Sequence, residues 1–134
     1  MIKLLLALLI KHAICDMYLQ NKRSFTDKSK YIGECHTHYL DHFLATLLVC
    51  HLFAIPIEFS FFLASIDYIA HWHIDYTKTK IIRFFKISLH SIVFWLLQTI
   101  DQILHYSTYF LIVYIVQSKL SLHDIFEKCI SPLF

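Results

Sequence analysis

The chain has 134 residues, 57% hydrophobic and 16% charged, with a formal net charge of +2. That length fits one domain, and the charged fraction lies well below the roughly 25% of a usual soluble domain. The near-neutral balance gives no argument for nucleic acid as a partner, and the single glycine, Gly33, excludes a phosphate-cradling loop, a dinucleotide fingerprint and a Gly-x-Ser-x-Gly elbow together.

Met1 to Ile10 has the look of a signal peptide with Lys3 as its charged region. Lys11 and His12 follow at once, however, and no small residue sits just before Cys15. Ile2 to Gln20 is therefore expected to be a first membrane span. Asn21 to Glu34 is a polar loop carrying Lys22, Arg23, Lys28 and Lys30. His36 to Ile55 reads as a second span and, after Pro56, Ile57 to about Tyr76 as a third, which makes a tight helical hairpin. Lys78 to Lys86 is basic and reads as an interfacial segment. Leu89 to Gln117 carries the fourth span, and Ser118 to Phe134 a short tail.

The expected fold is thus all-α, an integral membrane bundle of about four transmembrane helices (spans near 2–20, 36–55, 57–76 and 89–117) followed by a tail at 118–134. Phe43 to Ile66 holds His51 and Glu58 as its only ionisable residues, too little polar surface for a water-facing hairpin. The basic loops place the first and third connections on the cytoplasmic side of a multi-pass protein, in a bacterial inner membrane or a host membrane if phage-encoded. The expected partner is the lipid bilayer, with a homo-oligomer left open. Cys15, Cys35, Cys50 and Cys129 include no Cys-x-x-Cys pair and read as small buried hydrophobes.

Polar residues recur along these helices at helical spacing. His12, Asp16 and Gln20 stand at i, i+4 and i+8, as do Asp67, His71 and Asp75, with Lys78 a turn later. Cys35, His38 and His42 share a face of the second helix, and Gln98, Asp101, Gln102 and His105 one of the fourth. An ionisable group facing lipid costs about 2.5–3.5 kcal/mol, so the stripes are expected to face inward and to form one polar pocket. A histidine and an aspartate one turn apart can bind one metal ion together. Imidazole with carboxylate suits zinc, iron or manganese.

The candidate ligands are His12, His42, His71, Asp101 and His105. Asp16 and Asp75 are candidate catalytic carboxylates, with Gln20, His38, Asp67, Lys78 and Gln102 in support. His51 reads as a satisfied core residue, and Tyr68, Trp72, Tyr76 and Trp95 as an interfacial belt.

On His12-x3-Asp16-x2-Leu19-Gln20, His38 or His42, His71-x3-Asp75-x2-Lys78 and Asp101-Gln102-x2-His105, the chain resembles domain of unknown function 3307 from about Leu4 to Val116. That is a family of small integral membrane proteins from bacteria and phages. Cys15, where the family often has glycine, and Met17, where an aromatic is common, depart from it. The resemblance implies a multi-span protein and no settled biochemistry.

Two functions are consistent with these residues. One is a metal-dependent hydrolase acting at a membrane. The other is a non-enzymatic membrane protein, either a phage-encoded envelope factor or a small proton or ion conductor, in which the His/Asp chain is a relay or structural glue.

Overall fold

The computed structural model describes residues 1–19, 28 and 30–118, so Gln20, the loop cations Lys22 and Arg23, and the tail from 119 onward lie outside the described residues. The described residues form four helices: α1, Ile2–Ala13, continued by a π-helical stretch Ile14–Leu19; α2, His36–Leu52; α3, Ile57–Phe84; and α4, Ile92–Gln117. Successive helices pack on one another and α1 also packs on α4, which closes a four-membered ring.

The ring has an apolar end and a polar end. Leu4 and Leu8 of α1, Val49 and Cys50 of α2, Leu63 of α3 and Tyr109, Ile112 and Val113 of α4 make the apolar core. At the other end His12, His38, His42, Asp67, His71, Asp75, Asp101 and His105 are all buried. Along α1 and α3 the chain passes from core to polar end, and along α2 and α4 it returns, so the helices run up and down alternately.

The turns are set locally. Ser91 caps α4, its side chain accepting from the Phe94 amide at 3.2 Å. Glu58 stands in the first turn of α3, where a carboxylate favours the helix dipole. Two helix ends are closed without glycine. Past α2, Ala54 takes φ 54°, with Ile55 N–H donating to Cys50 O and Ala54 N–H to His51 O, both at 3.0 Å. Past α3, Lys86 takes φ 51°, with Ile87 N–H donating to Ile82 O and Lys86 N–H to Arg83 O. Both are Schellman closures with a β-carbon where glycine is usual.

The connection before α2 is fastened to α3 by aromatic groups. Trp72 Nε1 donates to Tyr31 O at 3.1 Å, the two rings lie 4.5 Å apart, and His36 pairs with the Tyr68 hydroxyl at 2.6 Å. Tyr68 and Trp72, expected in an interfacial belt, here pin a loop.

The regular structure of the described residues is all helical, but the expected integral membrane bundle is overturned. Among the described residues no helix is long and apolar enough to cross a membrane. At 12 and 17 residues, α1 and α2 fall short of the roughly 20 a bilayer requires. At 28 and 26 residues, α3 and α4 are long enough but too polar. Asp67, His71 and Asp75 interrupt α3, which runs on through Lys78, Lys80 and Arg83, and Gln98, Asp101, Gln102 and His105 interrupt α4. The basic stretch expected at an interface is mostly the last turns of α3. His51 is exposed in the last turn of α2 rather than buried, and Cys15, Cys35 and Cys50 are buried free thiols. Leu40, Leu44 and Leu48 along α2 and Ile100, Ile103 and Leu111 along α4 remain exposed, apolar surface beyond what the core uses.

Relieving the left-handed residues should stabilise the fold. Ala54→Gly is expected to raise the unfolding free energy by about 1 kcal/mol, since the β-carbon penalty there exceeds the entropy glycine adds to the unfolded chain. Equilibrium denaturation checks it, and a lowered midpoint for Ala54→Gly would contradict the assigned closure.

Candidate metal centre

The i, i+4 spacing on each helix delivers side chains to one point between all four. His12 and Asp16 come from α1 and its π continuation, His38 and His42 from α2, His71 and Asp75 from α3, and Asp101 and His105 from α4. The rings touch: His42 and His71 centroids are 3.7 Å apart, His71 and His105 4.0 Å, and His12 and His105 5.0 Å. Sequence spacing named every one of these residues. Two groups among them have ligand atoms close enough to share an ion: Asp16, His38, His42 and His71, and His71, Asp75 and His105.

The five imidazoles fall into two kinds by their hydrogen bonds. His12 is satisfied on both sides. Its Nδ1 lies 2.9 Å from the Tyr109 hydroxyl, and its Nε2 faces Gln102 Oε1 at 3.4 Å and Asp16 Oδ2 at 3.3 Å. Both partners of Nε2 are acceptors, so Nε2 carries the proton and Nδ1 accepts from tyrosine.

His42 is fixed by Lys11, whose Nζ lies 3.3 Å from Nδ1. An ammonium only donates, so His42 Nδ1 accepts and its Nε2–H donates to Asp16 Oδ1 at 3.1 Å. In these tautomers both rings hold Asp16, and His42 is also a member of the first group whose atoms could share an ion.

His38, His71 and His105 are different. Both ring nitrogens of His38 and of His71, and Nε2 of His105, are buried with no hydrogen-bond partner among the described residues, and so is Asp101 Oδ1. Their Nε2 atoms nonetheless converge on carboxylates. His38 lies 3.3 Å from Asp16 Oδ1 and 3.9 Å from Asp75 Oδ2; His71 lies 3.7 and 3.6 Å from the same two atoms. His105 lies 3.8 Å from Asp75 Oδ1 and 3.7 Å from Asp101 Oδ1. Two ligands of one tetrahedral ion with bonds of about 2.0–2.1 Å are separated by about 3.3 Å, so these approaches are compatible with atoms that share an ion.

Protonation agrees with that chemistry. Burial holds His71 well below its usual value, reinforced by the neighbouring imidazoles and Lys28. Burial also lowers His12, and brings His42 to about 4 against the pull of Asp16. Burial opposes ionisation of Asp16 and Asp75. The contacts of His38 and His42 outweigh it for Asp16, and those of His105, Lys28 and Lys78 for Asp75, so both stay below the ordinary carboxylate range. Neutral imidazole and ionised carboxylate are the forms a metal ion requires.

Three lysines complete the site, two of which sequence spacing did not find. Lys11, buried on α1, pairs with Asp67, which also accepts from the Thr46 hydroxyl. Asp67 is therefore the counter-ion of Lys11 and stands outside both ligand groups. Lys28, brought in by the pinned connection, pairs with Asp75. Lys78 meets Asp101 Oδ2 at 2.9 Å and Asp75 Oδ1 at 3.6 Å. Lys28 sits in a loop with no periodicity to follow, and Lys11 is one residue off the His12 stripe, so neither carried a spacing signal. Gln102 supports His12, as expected of it.

A family model described as Protein of unknown function (DUF3307) matches residues 4–131, and the chain belongs to that family. No curated protein and no solved structure matches it.

The Lys11–Asp67 pair is almost fully desolvated, with side chains 7% and 2% exposed. Asp67→Ala, which strands the lysine, is expected to cost about 3–5 kcal/mol in chemical denaturation, whereas Lys11→Met with Asp67→Leu should cost far less. Equal losses would show that the pair is not closed to water.

Proposed function

We propose that this member of the DUF3307 family is a metal-dependent hydrolase whose ligands are His38, His71 and His105 with Asp16, Asp75 and Asp101. The observation that carries the reading is the convergence of the buried Nε2 atoms of those three histidines, each 3.3–3.9 Å from carboxylate oxygens. A buried polar group without a partner costs about 1–3 kcal/mol, and four helices converge to place several such groups together. That arrangement is costly as glue and economical as a ligand set.

The donor set of imidazoles and carboxylates suits zinc, iron or manganese. Bound there, a divalent ion supplies a Lewis acid and lowers the pKa of water. Asp16 is suited to the base role, because it is the least buried of the site carboxylates, at 24% side-chain exposure, and is steered by His12 and His42. In hydrolysis the water oxygen bonds to the electrophilic centre, Asp16 takes the proton, and the leaving oxygen departs with a proton returned to it. Lys28 and Lys78 pair with Asp75 and help hold its carboxyl below the ordinary range, and Lys78 also takes Asp101 Oδ2.

Elemental analysis of protein purified without chelators tests this. About one or two divalent ions per chain are expected, absent in His71→Ala, a change that removes no charge. His12→Ala, which deprives Asp16 of its orienting partner, should retain metal with an affinity lowered about 10- to 100-fold. Folded protein that takes up no zinc, iron or manganese would refute the reading, as would undiminished metal in His71→Ala.

A further inference from the structure

Beyond the histidine and carboxylate cluster the bundle ends in a projecting hairpin. Phe84 stands nine residues past Asp75 on α3, and Ile92 nine before Asp101 on α4. At about 1.5 Å per residue, both helices run about 14 Å past the level of the cluster. The π stretch ends three residues past Asp16, and α2 starts two before His38. Among the described helix ends, the α3–α4 tip therefore stands furthest out.

That tip is apolar and uncovered. Phe84, Phe85, Leu89, Ile92 and Trp95 are each between 62% and 80% exposed. Large apolar side chains so exposed and so close together mark an interaction surface.

Charge selects the partner. From Tyr76 to Ile100 the chain holds no aspartate and no glutamate, while Lys80, Arg83 and Lys86 are exposed around the tip. The fourth cation of the stretch, Lys78, is engaged with Asp101. The exposed row Leu40, Leu44 and Leu48 has no such rim, since α2 contains neither lysine nor arginine. Phenylalanine, leucine and tryptophan bordered by lysine and arginine suit the headgroup layer of an anionic membrane, which apolar side chains enter to a depth of about 5–10 Å. A second copy meeting tip to tip would instead bring like charges together.

We infer that the α3–α4 tip docks on an anionic lipid surface. Phe84, Phe85, Leu89, Ile92 and Trp95 enter among the headgroups, and Lys80, Arg83 and Lys86 meet the lipid phosphates. The contact is made from one side and needs no helix that crosses. It sets the polar end of the bundle against the lipid, and it stands or falls independently of the metal centre.

Sedimentation of the full-length chain with vesicles tests this, using phosphatidylcholine alone or mixed with phosphatidylglycerol. Binding is expected to the mixed vesicles only, and to weaken as salt is raised. Lys80→Gln, Arg83→Gln and Lys86→Gln together should weaken it by about 100-fold, roughly fivefold per cation. Phe84→Ser with Phe85→Ser should abolish it without lowering the unfolding midpoint, because neither side chain is packed in the core. Brominated lipid should quench fluorescence of the unaltered protein, and that quenching should be lost in Trp95→Phe. The vesicle comparison on the unaltered chain stays decisive if a variant does not fold.

Equal binding to phosphatidylcholine alone would overturn the anionic surface as the partner, and no binding to either vesicle would overturn the docking. Binding with quenching unchanged in Trp95→Phe would move the contact away from the tip. A dimer that dissociates in the Phe84→Ser, Phe85→Ser variant, without vesicle binding by the unaltered chain, would assign the tip to a second copy.

Discussion

Asp75 is 2% exposed, with its two oxygens shared among Lys28, Lys78, His71, His105 and His38. A carboxylate taken so far out of water survives as a charge only while several partners surround it, and these come from the 28–35 connection and from α2, α3 and α4. Much of the remaining architecture meets that need. The connection before α2 is pinned by Tyr31, His36 and Trp72, and so brings Lys28 within reach. Helix α3 runs to Phe84, so that Lys78 lies one turn past Asp75. Helix α4 presents Asp101 and His105 one turn apart, one to engage the lysine and one to face Asp75.

Within this enclosure, hydrogen bonding separates groups that composition treats alike. His12 and His42 look like His38, His71 and His105 in sequence, each a histidine on a polar stripe. Tyr109 and Gln102 complete the first, and Lys11 with Asp16 the second, whereas the other three carry buried nitrogens that nothing among the described residues answers. Local rules of polar satisfaction are kept through most of the described structure and broken chiefly where these rings converge, which is where function is expected to reside. The same contrast marks where a hydrogen-bonded glue and a ligand set would differ, a distinction the stripes alone do not carry.

Much of the site was legible because a helix is a simple ruler: His71 and Asp75, or Asp101 and His105, share a face by spacing alone. The ruler gives no tautomer, so it does not say which ring nitrogen of His12 or His42 faces Asp16. It also gives no loop path, so Lys28 appeared as a topology signal instead of the partner of Asp75. The membrane reading failed for a related reason. The third span, Ile57 to about Tyr76, was read with Asp67, His71 and Asp75 taken as an inward stripe that left its apolarity sufficient. The inward stripe of Asp67, His71 and Asp75, which made the site visible, is also what dilutes α3 below the apolarity a span needs. Helix ends were nearly right at α2 and α3 because Pro56 marks the break, and the stop at Phe84 was missed because Lys86 closes it in a conformation sequence usually reserves for glycine.

The π-helical stretch Ile14–Leu19 lies where α1 passes from the apolar core to the polar end. A π turn spans one residue more than the α ladder it interrupts, and each residue of an α-helix turns the chain by about 100°. The stretch therefore acts as a phase shifter, setting the angular register of Asp16 independently of Leu4 and Leu8 before it. Its consequence is genetic: loss of a single codon within this stretch lets the π turn revert to the α ladder, so Asp16 keeps close to its angular register, whereas the same loss between Leu4 and His12 has no such slack to draw on and turns the apolar residues out of phase with the polar ones.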